Sequence, residues 1–305
     1  MKASALLIIL IWPVCLYSQQ IADTSYNPVI PVPAYGPGNG PVVFIDEGHH
    51  NFHTREGRYK AFATLLERDG YVVSSYNGPF ERTKLEDGKI LVISNALNET
   101  NVEDWYLPTP SAFTKTEIKV VKKWVKQGGS LFLIADHMPM AGAAKDLAAS
   151  FGFSFTNGFV FHMEIRGPAL FNMEEGSLVE SIITKGRDST ENIRQIATFT
   201  GQGFKIPGNA TPILVFDEHY ENILPDTAWV FDEETTRFSI PGWSQGAFKE
   251  YGRGRVVLFG EAAMFSAQLA GPEKIKAGMN TEIAAENYKL LLNIIHWLDG
   301  ILNDP

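Results

Sequence analysis

The chain has 305 residues, 45% of them hydrophobic, with 35 Asp and Glu against 26 Lys and Arg for a formal net charge of −9. This acidic balance, with no Lys/Arg run interleaved with aromatics, argues against a nucleic-acid surface. Cys15 is the only cysteine, which excludes a disulfide framework and cysteine-ligated zinc.

The first twenty residues, MKASALLIILIWPVCLYSQQ, place Lys2 before an apolar core from about Ala5 to Leu16 and then turn polar. This is the pattern of an export signal, read over 1–18 with cleavage near Ser18. The apolar run falls short of the roughly 20 residues that cross a bilayer, so the mature chain is expected to lack a transmembrane span and to be periplasmic or secreted. Trp12, Pro13 and Val14 are a poor match to the small residues that lipid modification of Cys15 would need. Cleavage removes Cys15, so a cysteine nucleophile is excluded as well. Residues 19–40, which include YNPVIPVPAYGPGNG, are rich in Pro and Gly and read as a tether or extended arm.

Residues 41–303 alternate strand and helix signals at first, which predicts a parallel sheet covered on both faces. PVVFID is the first strand. Tyr59, Phe62, Ala63 and Leu66 then recur at helical spacing before Gly70. YVVSSY and KILVIS are the second and third strands. In TKTEIKVVKKWVKQGG, Thr114 and Glu117 form a capping-box pair, Ile118, Val121 and Val125 a buried stripe, and Gly128 a stop. SLFLIADH is the fourth strand and AGAAKDLAASFG another helix. From about 153 to 244 the pattern weakens to short β-like pieces, IRQIATF, TPILVFD and TAWVFD, read as an irregular β-rich insertion. GAFKEYGRGRVVLFG restores order as two strands around a tight turn at Gly252 and Gly254. AENYKLLLNIIHWLDGIL closes the chain as an amphipathic helix, on which His296 reads as structural.

In an open parallel sheet, ligands bind outside the carboxyl ends of the strands. Those ends carry Asp46, Glu47, His49, His50 and His53 after the first strand, Asn95 and Asn98 after the third, Asp136 and His137 after the fourth, and Glu261 after the last. Asp and Asn at such places are also ordinary caps and turn formers, the first reading for Asn95 and Asn98. Asp46, His49, Asp136, His137 and Glu261 together predict a shared pocket, because several titratable groups converge from separate strands.

The segments DEGHHNFHT (46–54), LFLIADHMP (131–139), GRVVLFGEAAMFSAQ (254–268) and NYKLLLNIIHWL (287–298) resemble the class I glutamine amidotransferase-like superfamily, which includes the ThuA-like proteins, and in particular a bacterial family of unknown function within it. The resemblance implies a flavodoxin-like, doubly wound fold. In the amidotransferases a cysteine stands on the turn that IADHMP would match. Here that turn offers Asp136 and His137, so glutamine hydrolysis through a thioester is not supported.

Three chemistries fit these residues. A metal-assisted hydrolase would use His49 and His53 at i, i+4 with Asp136 or His137 around a zinc-like divalent ion, and Glu261 as base. A metal-free glycoside hydrolase would pair Glu261 with Asp136 or Asp46. A binding module without catalysis would use loop residues such as Trp105, Tyr106 and Phe265, with Glu47, Asn95, Trp243, Gln245 and Gln268 as ligand contacts; PGWSQGA (241–247) and FTGQG (199–203) are its candidate loops. The reading taken forward is a hydrolase acting on a small-molecule or carbohydrate-derived substrate. It expects Asp46, His49, Asp136 and Glu261 to open into one cleft.

Overall fold

A computed structural model describes residues 20–303; the export-signal reading and Cys15 fall on residues outside that range. Nine strands form the central sheet. They are β1 (Val42–Asp46), β2 (Val72–Tyr76), β3 (Ile90–Ser94), β4 (Ser130–Ile134), β5 (Ser154–Phe155), β6 (Phe204–Lys205), β7 (Thr211–Val215), β8 (Ser244–Tyr251) and β9 (Gly254–Phe259). Their order is β2-β1-β3-β4-β9-β8-β6-β5, with β7 also paired to β8. The pairs among β2, β1, β3, β4 and β9 are parallel, and β8 turns the sheet antiparallel. The strand order therefore reverses between β1 and β3, the kind of switch point beside which open α/β sheets place their ligands.

Side chains along the parallel strands alternate between two cores, as a period of two requires. Val43, Ile45, Ile90, Val92, Phe132, Ile134, Val257 and Phe259 face one side. There they meet α1 (Lys60–Arg68) and α4 (Asn287–Asp299). Phe44, Leu91, Ile93, Leu131, Leu133, Val256 and Leu258 face the other, against α2 (Lys115–Lys126) and α3 (Met140–Ser150). Burial on both faces explains why these strands are nearly continuous in apolar residues. Gly252, at φ 65°, makes the turn between β8 and β9, where Tyr251 pairs with Gly254; a positive φ favours glycine there.

The middle region is β-rich but divided. β5, β6 and β7 extend the central sheet, while Phe159–His162, Tyr220–Leu224 and Thr236–Ser239 make a separate antiparallel sheet and Ala169–Asn172 pairs with Gln195–Thr198. TAWVFD is not a strand. Trp229 has φ 67° and is 52% exposed, which breaks an extended ladder, and only Thr227 bridges, to Tyr106.

The Pro/Gly-rich arm is docked and does not hang free. Gln20–Ala22 pairs with Ala267–Ala270, which pairs in turn with Ile275–Gly278. Asp69 accepts the Ala34 N–H at 2.8 Å, and Tyr35 meets Tyr71 edge-on. Asp69 also holds His296 of α4 at 2.6 Å, so that buried histidine has a local partner. Among the described residues, no helix is long and apolar enough to cross a membrane.

Candidate functional site

The carboxyl edge of the parallel strands holds two clusters of titratable side chains, and a separate cavity opens nearby. The first cluster is built on the turn after β1. Asp46 is fully buried and accepts the Gly48 N–H at 3.1 Å and Asn51 Nδ2 at 3.0 Å. Its two oxygens both lie 2.9 Å from His49 Nδ1. His49 Nε2 lies 2.9 Å from Glu117 Oε1. Burial disfavours a charged imidazole, but hydrogen bonds and charge from Asp46 and Glu117 outweigh it and raise the His49 pKa. Glu117 is pushed up by burial and pulled down further by His49, Thr114 and the Phe80 N–H, to about 2. The result is a buried carboxylate–imidazolium–carboxylate clamp that pins the β1 turn to the start of α2.

The second cluster joins β3, β4 and β9. Asn95, at φ 48° at the end of β3, accepts the Asp136 N–H at 2.8 Å. Asn tolerates this left-handed backbone better than most residues. Glu261 is fully buried at the head of a 3₁₀ turn and accepts the Ala263 and Met264 N–H groups, each at 2.8 Å. Burial and then the charge of Asp136 raise its pKa well above the ordinary carboxylate range, against the backbone N–H groups of Met264, Ala263 and Phe199. Tyr59 donates to Ala262 O at 3.1 Å beneath it. Gln202 donates to Ala135 O at 2.8 Å, leaving Oε1 buried without a partner.

The histidines do not converge. The turn after β1 is not a helix: His50 has φ 49°, so His49 and His53 lose the i, i+4 alignment expected of them. His53 is buried against Tyr59, 4.6 Å between ring centres, and burial with the nearby Arg58 charge lowers its pKa to about 3. His137 stacks on Phe159 at 4.2 Å, and its Nδ1 lies 2.7 Å from Met138 O. Both ring nitrogens of His49 are taken by carboxylates. Among the described residues, no group of three or more His, Cys, Asp or Glu side chains is placed to hold an ion, so this donor set does not fit the zinc-like centre.

Among the described residues the expected shared cleft is not seen, because Asp46 and Glu261 are fully buried and His49 nearly so. A cavity of about 800 Å³ lies in the middle region, walled by residues that include Val160, His162, Phe171, Phe199, Phe216, Tyr220, Trp229 and Gln245. None of Asp46, His49, Asp136 and Glu261 is on its wall. The reason is the segment 199–202, which lies over the end of β9: Gln202 N–H donates to Gly260 O at 2.8 Å, and Gly260 N–H to Gln245 O at 2.7 Å. Gly201, at φ 108°, packs so closely that a Cβ there would meet Gly260 O at 2.1 Å.

Of the five ligand contacts read from sequence, only Gln245 lines the cavity. Glu47 accepts the Arg55 N–H at 2.7 Å, Asn95 holds Asp136, Trp243 carries Lys205 Nζ over its ring at 5.0 Å, and Gln268 donates to Ser266 Oγ at 2.7 Å. Sequence reasoning missed Glu117 as a partner of His49, because its capping-box role already accounted for it. It also missed Trp229, His162 and His219, which come from loops and short strands with no periodic signal.

The sequence matches no protein-family model and no curated protein. Solved structures share the fold. The mmIFT52 N-terminal domain has a TM-score of 0.57 at 14% identity, covering 85% of this chain and 97% of that one. Cytoplasmic protein STM1381 from Salmonella typhimurium LT2 has a TM-score of 0.50 at 15% identity, covering 84% and 98%. A ThuA-like protein from Bacteroides uniformis is a weaker, distant neighbour, with a TM-score of 0.44 at 13% identity over 87% and 94%. The class is an α/β protein with a central, mostly parallel sheet and flanking strands, and at these identities the likeness extends to the fold alone.

Proposed function

We propose that this is an exported, amidotransferase-like α/β protein of flavodoxin type that binds a small-molecule, carbohydrate-type ligand in the middle-region cavity. The observation that carries this reading is the cavity itself: about 800 Å³, with aromatic walls and a buried Gln245 whose Oε1 has no partner. That volume suits a small ligand, and aromatic faces with a few placed polar groups are what such sites use. Titration calorimetry with a panel of mono- and disaccharides tests it, with Trp229→Ala as the control. Binding that Trp229→Ala weakens at least tenfold is expected. A panel with no binder, or binding indifferent to Trp229→Ala, would sink the proposal.

A second reading, hydrolysis, is favoured by one observation: Glu261 is held towards its acid form beside the half-buried Asp136. An acid and a neighbouring carboxylate are the parts of acid–base cleavage, with Glu261 protonating a leaving oxygen and Asp136 assisting the attack. Gln202, whose Oε1 is unpartnered, holds Ala135 O and Gly260 O, the residues next to Asp136 and Glu261. It stands second because Glu261 is fully buried behind residues 199–202. Release of nitrophenol from aryl glycosides that is abolished by both Asp136→Asn and Glu261→Gln would promote it.

A further inference from the structure

The cavity's chemistry is one-sided. Its wall carries three exposed carboxylates, Glu164, Glu175 and Asp217, against one guanidinium, Arg166, beside the imidazoles of His162 and His219. Asp217 is bonded only to the His219 backbone N–H, at 2.8 Å, and Glu175 to Asn172, so no cation among the described residues neutralises either. His162 Nδ1 accepts the N–H groups of Glu164 and Ile165 at 3.1 and 3.0 Å.

A buried polar side chain of the wall, Gln245, also carries a free acceptor. Gln245 is 1% exposed and donates Nε2 to Thr200 O at 2.9 Å, which fixes the amide and leaves Oε1 buried and unpartnered. A buried acceptor with no donor is destabilising, and a ligand N–H or O–H would remove that cost. Trp229, Phe199 and Phe216 present aromatic surface to the same space. Ring faces attract cations and repel anions through their quadrupole.

Building on the cavity reading above, we propose that the ligand is a protonated amine carried on a ring-sized body, such as an amino sugar. The ammonium group satisfies Gln245 Oε1 and the carboxylate excess, and the body packs on the aromatic walls. A quaternary ammonium has no hydrogen to give Gln245, and a carboxylate ligand meets like charge.

Glucosamine, glucose and glucuronate share a ring and differ in charge, so calorimetry with these three probes on the mature protein is decisive. Glucosamine is expected to bind at least tenfold more tightly than either of the others. The preference should shrink at 0.5 M NaCl, and Asp217→Asn with Glu175→Gln should reduce it at least threefold. Gln245→Leu should weaken glucosamine about tenfold, and circular dichroism would establish that each variant is folded. Glucose binding as tightly as glucosamine overturns the cation preference and leaves the cavity reading standing. No binding by any of the three overturns the preference, and an empty saccharide panel would then remove the cavity reading as well.

Discussion

Glu117→Gln is the sharpest test of the clamp beneath the sheet edge. Glu117 Oε1 accepts from His49 Nε2 and the Phe80 N–H at 2.9 and 3.1 Å, and Oε2 from the Thr114 N–H and hydroxyl at 2.9 and 2.7 Å. The amide keeps the shape, but it removes the charge and turns an NH₂ towards a donor. His49 is then a buried imidazolium with one carboxylate in place of two. Breaking a buried pair costs roughly 3–5 kcal/mol, and because Asp46 remains, the lower end, about 3 kcal/mol, is expected. At roughly 2–4 °C per kcal/mol, that is a fall in Tm of about 6–12 °C.

The pH dependence is equally specific. Glu117 is lowered from 4.5 to about 2, so its share of stability is present above 4.5 and lost as pH falls towards 2. The His49 pKa is raised from 6.5, so its share is full below 6.5 and lost as pH rises through the raised value. Thermal melts by circular dichroism should therefore show the largest wild-type-to-variant gap between about pH 4.5 and 6.5. A gap below about 2 °C at pH 5.5 refutes the charged clamp.

Phe132→Ala, at the crossing of Phe62, Phe259 and Phe265, should cost about 3–5 kcal/mol in urea unfolding, and a value below about 1 would mean the core is not packed as described. Gly201→Ala should destabilise by about 1–3 kcal/mol, since φ 108° and the 2.1 Å approach to Gly260 O leave no room for a Cβ; equal denaturation midpoints would contradict that packing. Imidazole NMR should find His53 neutral throughout pH 5–8, because its pKa lies near 3, and a His53 titration near 6.5 would show that the ring is not buried. Mass spectrometry of protein from the native host should place the amino terminus between about residues 17 and 22; an intact Met1 would rule out export by a cleaved signal.

Alternation and helical spacing made much of the frame legible before any tertiary contact was known. PVVFID, KILVIS, SLFLI and RVVLF could be read as strands because a strand buried on both faces must be apolar almost throughout. The Thr114–Glu117 box fixed the start of α2 because capping is local. The same locality put acidic and histidine side chains at the strand ends. What those side chains do was decided elsewhere, because hydrogen bonding and burial depend on partners far along the chain. Glu117 lies 68 residues from the His49 that it holds, and no spacing announces that pair. His50 takes a positive φ that a sequence pattern does not show, and the expected metal spacing is lost with it. The cavity depends on loops closing together: Gln245 and the 199–203 loop that carries Phe199 could be picked from sequence, whereas Trp229 acquires its place only when 199–202 folds over the end of β9 and the middle strands wall off the space beside it.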